Sequence, residues 1–145
     1  IDDPRVIPYL VKAANSGDYN AKLWAYSSLE KFNDDAAFAA LKKGLKTTGK
    51  DVTNATTPEL AGQLSENARI AAAASLTRSA HPAAKSFLIA NRHDPVSSIR
   101  LTALHAVAAM PPAEALLIIK EMQSDPVEIV SNEAKRYEKL LTNAK

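Results

Sequence analysis

Asp94-Pro95-Val96-Ser97-Ser98-Ile99-Arg100-Leu101-Thr102-Ala103-Leu104-His105-Ala106-Val107 is the stretch whose reading decides the fold. Asp94 offers a carboxylate to free helix N–H groups, and Pro95 suits a first helical position, where its missing donor costs nothing. Ile99, Ala103, Ala106, Val107 and Met110 then recur at three- and four-residue spacing, a helical apolar stripe. Pro111-Pro112 stops that helix, because proline cannot continue the hydrogen-bond ladder. A second helix is expected over 112–123, burying Ala115, Leu116 and Ile119. The Asp-Pro-Val opening returns 31 residues later as Asp125-Pro126-Val127, with Ile99 falling on Val130 and Ala103 on Ala134.

Working outward, the same offset backwards places Arg100 on Arg69, Ala103 on Ala72 and Val107 on Leu76. An earlier copy aligns at an offset of 78, with Lys22 on Arg100, Ala25 on Ala103 and Leu29 on Val107. Internal repetition of this length marks stacked supersecondary units. The helices expected from it cover 20–32 and 35–46, a helix opening at Thr57-Pro58-Glu59 and ending near 79, then 82–90, and a last one over 126–141. At an offset of 108, Asp3-Pro4-Arg5-Val6-Ile7-Pro8-Tyr9-Leu10 lands on the second helix, Pro4 on Pro112 and Lys12 on Lys120. The expectation is a single repeat domain over 1–145, about four helix pairs, with a long insertion around 47–57. The chain opens halfway through a repeat and begins with Ile1, as a processed protein or a piece of a longer one would.

Composition agrees with this architecture. Of 145 residues, 27 are alanine, only 4 are glycine, and aromatics make up 6%. Alanine has the best helix propensity and lets helices approach closely, whereas a sandwich needs more β-branched and aromatic residues. An all-α fold is expected. The 18 basic and 16 acidic residues leave a net charge of +2, with neither a basic arm nor an acidic tail. No cysteine is present, which removes disulfides, thiolate zinc sites and a cysteine nucleophile. No apolar run approaches the ~18 residues of a membrane span. Cytoplasm and periplasm suit such a chain equally.

Asp-Pro followed by Val or Ile, a basic residue, Ala, and Leu or Val at helical spacing resembles the HEAT repeat family. The short period and the segment Asp3–Leu10 look like bacterial HEAT-like repeats of the phycobilisome-lyase type. The matching residues are Asp94, Pro95, Ile99, Arg100, Ala103 and Leu104, and more loosely Lys22, Ala25, Arg69 and Ala72. Departures are the run Ala71–Ala74, Ser131 where a basic residue is usual, and the insertion. The resemblance implies an α-α superhelix, a right-handed armadillo-like solenoid, with first helices convex and second helices concave. It implies a scaffold for proteins or peptides; some members bind nucleic acid and a few are lyases or glycosylases.

Motifs for chemistry are sparse. Gly44-Leu45-Lys46-Thr47-Thr48-Gly49-Lys50-Asp51 has phosphate-loop spacing until Asp51 stands where a hydroxyl is needed, and a helix precedes it where a strand should. Gly44 and Gly49 read better as left-handed helix caps. His81, His93 and His105 form no pair at metal-ligand spacing. Asp2-Asp3 and Asp34-Asp35 read as helix starts. No catalytic residue, metal or cofactor is expected.

Two binding features are expected. Lys12, Lys42 and Lys120 share one site in three second helices, with Lys43, Lys46 and Lys85 on or near those helices. On a concave face they would form a stripe for an acidic peptide or a phosphate backbone, although lysines near helix C-termini also serve solubility and the dipole. Trp24 and Tyr26 fall on Thr102 and Leu104, so Trp24 leans outward. It packs on an N-terminal helix missing from this chain or under the 46–64 insertion, the reading preferred, or serves as a contact hot spot. The function expected is a non-catalytic scaffold binding a protein or peptide. A nucleic-acid module and an accessory domain of a larger enzyme are the rivals.

Overall fold

A computed structural model of the chain describes residues 2–143, and among these every regular element is a helix. Eight α-helices follow in order: α1 (Ile7–Ala14), α2 (Tyr19–Leu29), α3 (Asp35–Gly44), α4 (Pro58–Arg78), α5 (Ala84–Ala90), α6 (Ser97–Val107), α7 (Pro112–Met122) and α8 (Glu128–Asn143). Short 3-10 turns lie at Pro4–Val6 and Gly49–Asp51. None of the described helices is long and apolar enough to cross a membrane.

Three helix starts follow from side-chain capping. Asp18 accepts from the Ala21 N–H at 2.8 Å, Asp34 from the Ala37 N–H at 2.9 Å, and Thr57 from the Leu60 N–H at 3.1 Å. Two expectations are corrected. Asp94 does not cap a helix beginning at Pro95; its Oδ1 folds back to accept the Val96 N–H at 2.9 Å, and α6 begins at Ser97. Asp125 makes the same turn with the Val127 N–H. Such Asx turns compete with the helix for backbone donors, which delays each start by two residues. Gly44 and Gly49 are not left-handed caps, since no described glycine has positive φ. A Cβ on Gly44 would lie 2.7 Å from Tyr26 Cζ and 2.9 Å from Ala72 Cβ, so glycine is needed there for closeness, not for conformation.

The chain forms two compact units, Ile1–Phe87 and Leu88–Lys145. In the first, α1 packs on α2 and α3, α2 on α3 and α4, and α3 on α4. Its core joins Leu10, Ala25, Leu29, Leu41, Ala68, Ala72 and Leu76, all buried. The alanine run is explained by this packing, because Ala72 and Ala73 are fully buried where α3 and α2 approach α4. The insertion is tied down: the Thr53 N–H donates to the Gly17 carbonyl at 2.9 Å, Asn54 Oδ1 accepts the Tyr19 N–H, and Val52 is buried. In the second unit α6 packs on α7 and α8, and α7 on α8. Ile99, Ala103, Leu104, Val107, Ala115, Ile119, Val130 and Ala134 fill its core.

Candidate functional site

The repeated basic position comes first, because it sets what its neighbours can do. Lys22 Nζ donates to the Ala14 carbonyl at 3.1 Å, at the end of α1. Arg69 Nε donates to the Leu45 carbonyl at 2.7 Å, just past α3. Arg100 Nη1 donates to the Asp94 and Pro95 carbonyls, each at 3.0 Å, beyond α5. Lys22 and Arg69 therefore satisfy carbonyls at the C-terminal end of the helix preceding their own, where helix dipoles favour positive charge, whereas Arg100 satisfies the turn immediately before its own helix α6. Arg100 does more. Its Nε and Nη2 grip both oxygens of Asp125 at 2.7 and 2.9 Å, joining the two Asp-Pro-Val turns through one guanidinium. That grip holds the Asp125 carboxyl below its ordinary pKa, with Val127 assisting. Ser131, in the same column, is buried and bonds only the Glu128 carbonyl.

Around Lys22 the first unit keeps a cleft of about 140 Å³, lined by Ala14, Asn15, Tyr26, Lys43, Gly44, Lys46, Thr47 and Asp51 as well. Lys22 is 4% exposed and Tyr26 is 1% exposed. The Tyr26 hydroxyl, fully buried, has no partner in hydrogen-bonding geometry. Burial pushes its pKa up, offset in part by the Thr47 hydroxyl beside it. Burial pushes the Lys22 amine down, with Asp51 opposing and Lys43 adding to the fall. The Thr47 hydroxyl donates to the Gly44 carbonyl at 2.6 Å. Asp51 Oδ2 accepts the Thr48 N–H and hydroxyl at 2.8 and 3.0 Å, which lowers its pKa. The stretch with phosphate-loop spacing thus forms a helix end and a 3-10 turn, not a strand-to-helix loop.

A second feature lies between α1 and α2, a groove of about 420 Å³ lined by Val6, Tyr9, Leu10, Trp24, Ser28 and Lys31. Trp24 is 60% exposed and Tyr9 76%. Trp24 does lean outward, and it lines a groove with the N-terminal residues, not a seat beneath the 46–64 insertion. Its partner Tyr9 was missed. The signal was available, since Tyr9 stands one residue after Pro8 and beside the buried Leu10 on a strongly amphipathic helix.

The lysines separate by environment. Lys42 Nζ sits 4.5 Å over the Phe38 ring, which also stacks on His81 at 4.3 Å. Lys43 and Lys46 line the cleft, while Lys12, Lys85 and Lys120 are exposed on α1, α5 and α7. Each histidine meets a carboxylate. His81 Nδ1 accepts the Ala83 N–H at 3.1 Å, so Nε2 carries the proton toward Asp35 at 2.8 Å. His93 Nε2 lies 2.8 Å from Glu121, and His105 meets Glu133 at 4.0 Å. Among the described residues no three His, Asp or Glu side chains gather as a metal site. Compared with protein-family models, curated proteins and solved structures, the chain matches none.

Proposed function

We propose that this chain is a non-catalytic interaction module that binds a protein segment through the Tyr9–Trp24 groove. The observation that carries the reading is the exposure of those two rings at one 420 Å³ groove. Burying large apolar surface is the main source of binding energy, and Trp and Tyr dominate contact hot spots. Lys31 at the groove adds a cation, so the segment bound is an apolar or aromatic anchor with an acidic flank. Lys12, Lys42 and Lys85, in the same unit as the groove, are proposed to extend the contact to further acidic groups, with Lys42 giving least because Phe38 already engages it.

The finer architecture is likewise a proposal: HEAT-like helix pairs stacked as a right-handed α-solenoid. Among α1 to α4, and among α6 to α8, the helices pack on their next and next-but-one neighbours, the pattern that two parallel rows of stacked helices require. The repeated basic column supports the same reading, since Lys22 and Arg69 each serve the helix end before them and Arg100 serves the turn that opens its own helix.

Trp24 is the single tryptophan, so its fluorescence reports the groove directly. Peptides selected from a random library on the immobilised chain should carry an aromatic or aliphatic anchor beside Asp or Glu, and should shift Trp24 emission to the blue. Trp24→Ala should weaken them at least tenfold, a cost of about 1.4 kcal/mol or more. Selected peptides that bind Trp24→Ala and Tyr9→Ala as tightly as the parent chain would refute the assignment.

A further inference from the structure

The cleft around Lys22 differs from its counterpart at the same repeat position in an informative way. At the offset of 78 that places Lys22 on Arg100, Tyr26 falls on Leu104 and Gly44 on Met122. Leu104 and Met122 are both buried and apolar, 0% and 5% exposed. The first unit replaces that apolar pair by a phenol and a glycine. The exchange seats the Tyr26 ring against Gly44, where a Cβ would collide, and places a hydroxyl, without a partner, in the wall of the cleft. A buried polar group without a partner is costly, and apolar filling is the cheaper solution the chain uses elsewhere.

The charges at this cleft state which ligand would complete it. Lys22, Lys43 and Lys46 line it against the single carboxylate of Asp51. Two hydrogens of Asp51's oxygen Oδ2 contacts already come from Thr48, so that carboxylate is turned to its own loop. Lys22 spends one donor on the Ala14 carbonyl, and an ammonium has three. A cation would meet three ammonium groups, and an apolar ligand would leave the Tyr26 hydroxyl unpaired. The volume, about 140 Å³, exceeds several times the ~30 Å³ that one liquid water occupies, enough for a tetrahedral oxyanion.

We infer that the cleft between the ends of α1 and α3 is a binding site for a phosphate-class oxyanion, held by Lys22, the Tyr26 hydroxyl and Lys43. Lys22 and Tyr26 supply donors from the buried wall, and Lys43 neutralises charge from the exposed side. The site is separate from the Tyr9–Trp24 groove and does not depend on its function.

Titration of the 15N-labelled chain with inorganic phosphate, at constant ionic strength held with chloride, tests this. Saturable amide shifts are expected at residues 14–15, 22, 26 and 43–51. Tyr26→Phe, which removes one oxygen, should weaken the apparent Kd at least fivefold. Lys43→Gln, at an exposed position, should do so without disturbing the fold, while Trp24→Ala should leave the Kd unchanged. Glycerol phosphate run in parallel separates the sources: equal affinity assigns the site to a phosphomonoester terminus, and loss of binding assigns it to the free ion. Absence of saturation by 50 mM phosphate, a figure on the order of a very weak site, would overturn the inference. So would shifts that persist undiminished in both Tyr26→Phe and Lys43→Gln.

Discussion

Gly44 concentrates the physics of the first unit in one position. Helix propensity favours alanine over glycine by about 1 kcal/mol in a helix interior. Here the added Cβ would stand 2.7 Å from Tyr26 Cζ, 2.8 Å from its oxygen and 2.9 Å from Ala72 Cβ, and Tyr26 is too buried to yield. Overpacking of this kind costs ~1–3 kcal/mol. Gly44→Ala should therefore lose stability, by about 1 kcal/mol net, in urea denaturation. In a Tyr26→Leu background the same change should become neutral or favourable, because the ring that collides is gone. Equal losses in both backgrounds would show that the clash is not the cause. The glycine was legible as a helix end, but its steric partner lies 18 positions earlier and on another helix, which no local pattern reveals.

At the level of elements, the second unit depends on one guanidinium. Arg100 grips Asp125 with two short bonds and holds the carbonyls of Asp94 and Pro95 with its remaining arm, and both side chains are nearly buried, at 12% and 7% exposure. Removing one partner leaves a charge without its mate, and a charge-assisted hydrogen bond is worth ~1.5–3 kcal/mol. Asp125→Asn should lower stability by about 2 kcal/mol in chemical denaturation, and Arg100→Lys should not restore it, since an ammonium cannot form the paired geometry. A loss below about 0.5 kcal/mol, the usual span of surface substitutions, would show that the link between the two turns is ornamental. The sequence showed that Asp125 and Arg100 are repeat positions. That one copy's arginine meets the next copy's aspartate follows only from how α6 lies against the turn before α8.

For the molecule as a whole, the carboxylates carry the pH dependence. Asp125 is held low by Arg100, Asp51 by Thr48, Glu133 by Arg136, and Asp3 by Arg5. A folded pKa below the unfolded one means stability that is present above the ordinary carboxylate range and lost as pH falls through it. Urea midpoints should therefore be flat from pH 7 to 5 and drop below about pH 4, near the unfolded Asp value. In Asp125→Asn the drop should be shallower, because a buried carboxylate held low by Arg100 no longer titrates; an unchanged profile would assign the acid sensitivity elsewhere. Helix content, the order of the eight helices and most of their limits were written in the sequence, since apolar periodicity, proline and capping residues act within a few positions of one another. The start of α6 was misread by two residues because Asp94 had two uses for its carboxylate and sequence does not choose between them. The Tyr9–Trp24 groove and the cleft of Lys22, Tyr26 and Lys43 belong to tertiary structure alone. Both are spaces between helices, and their shape depends on which side chains meet across a distance the chain crosses only by folding.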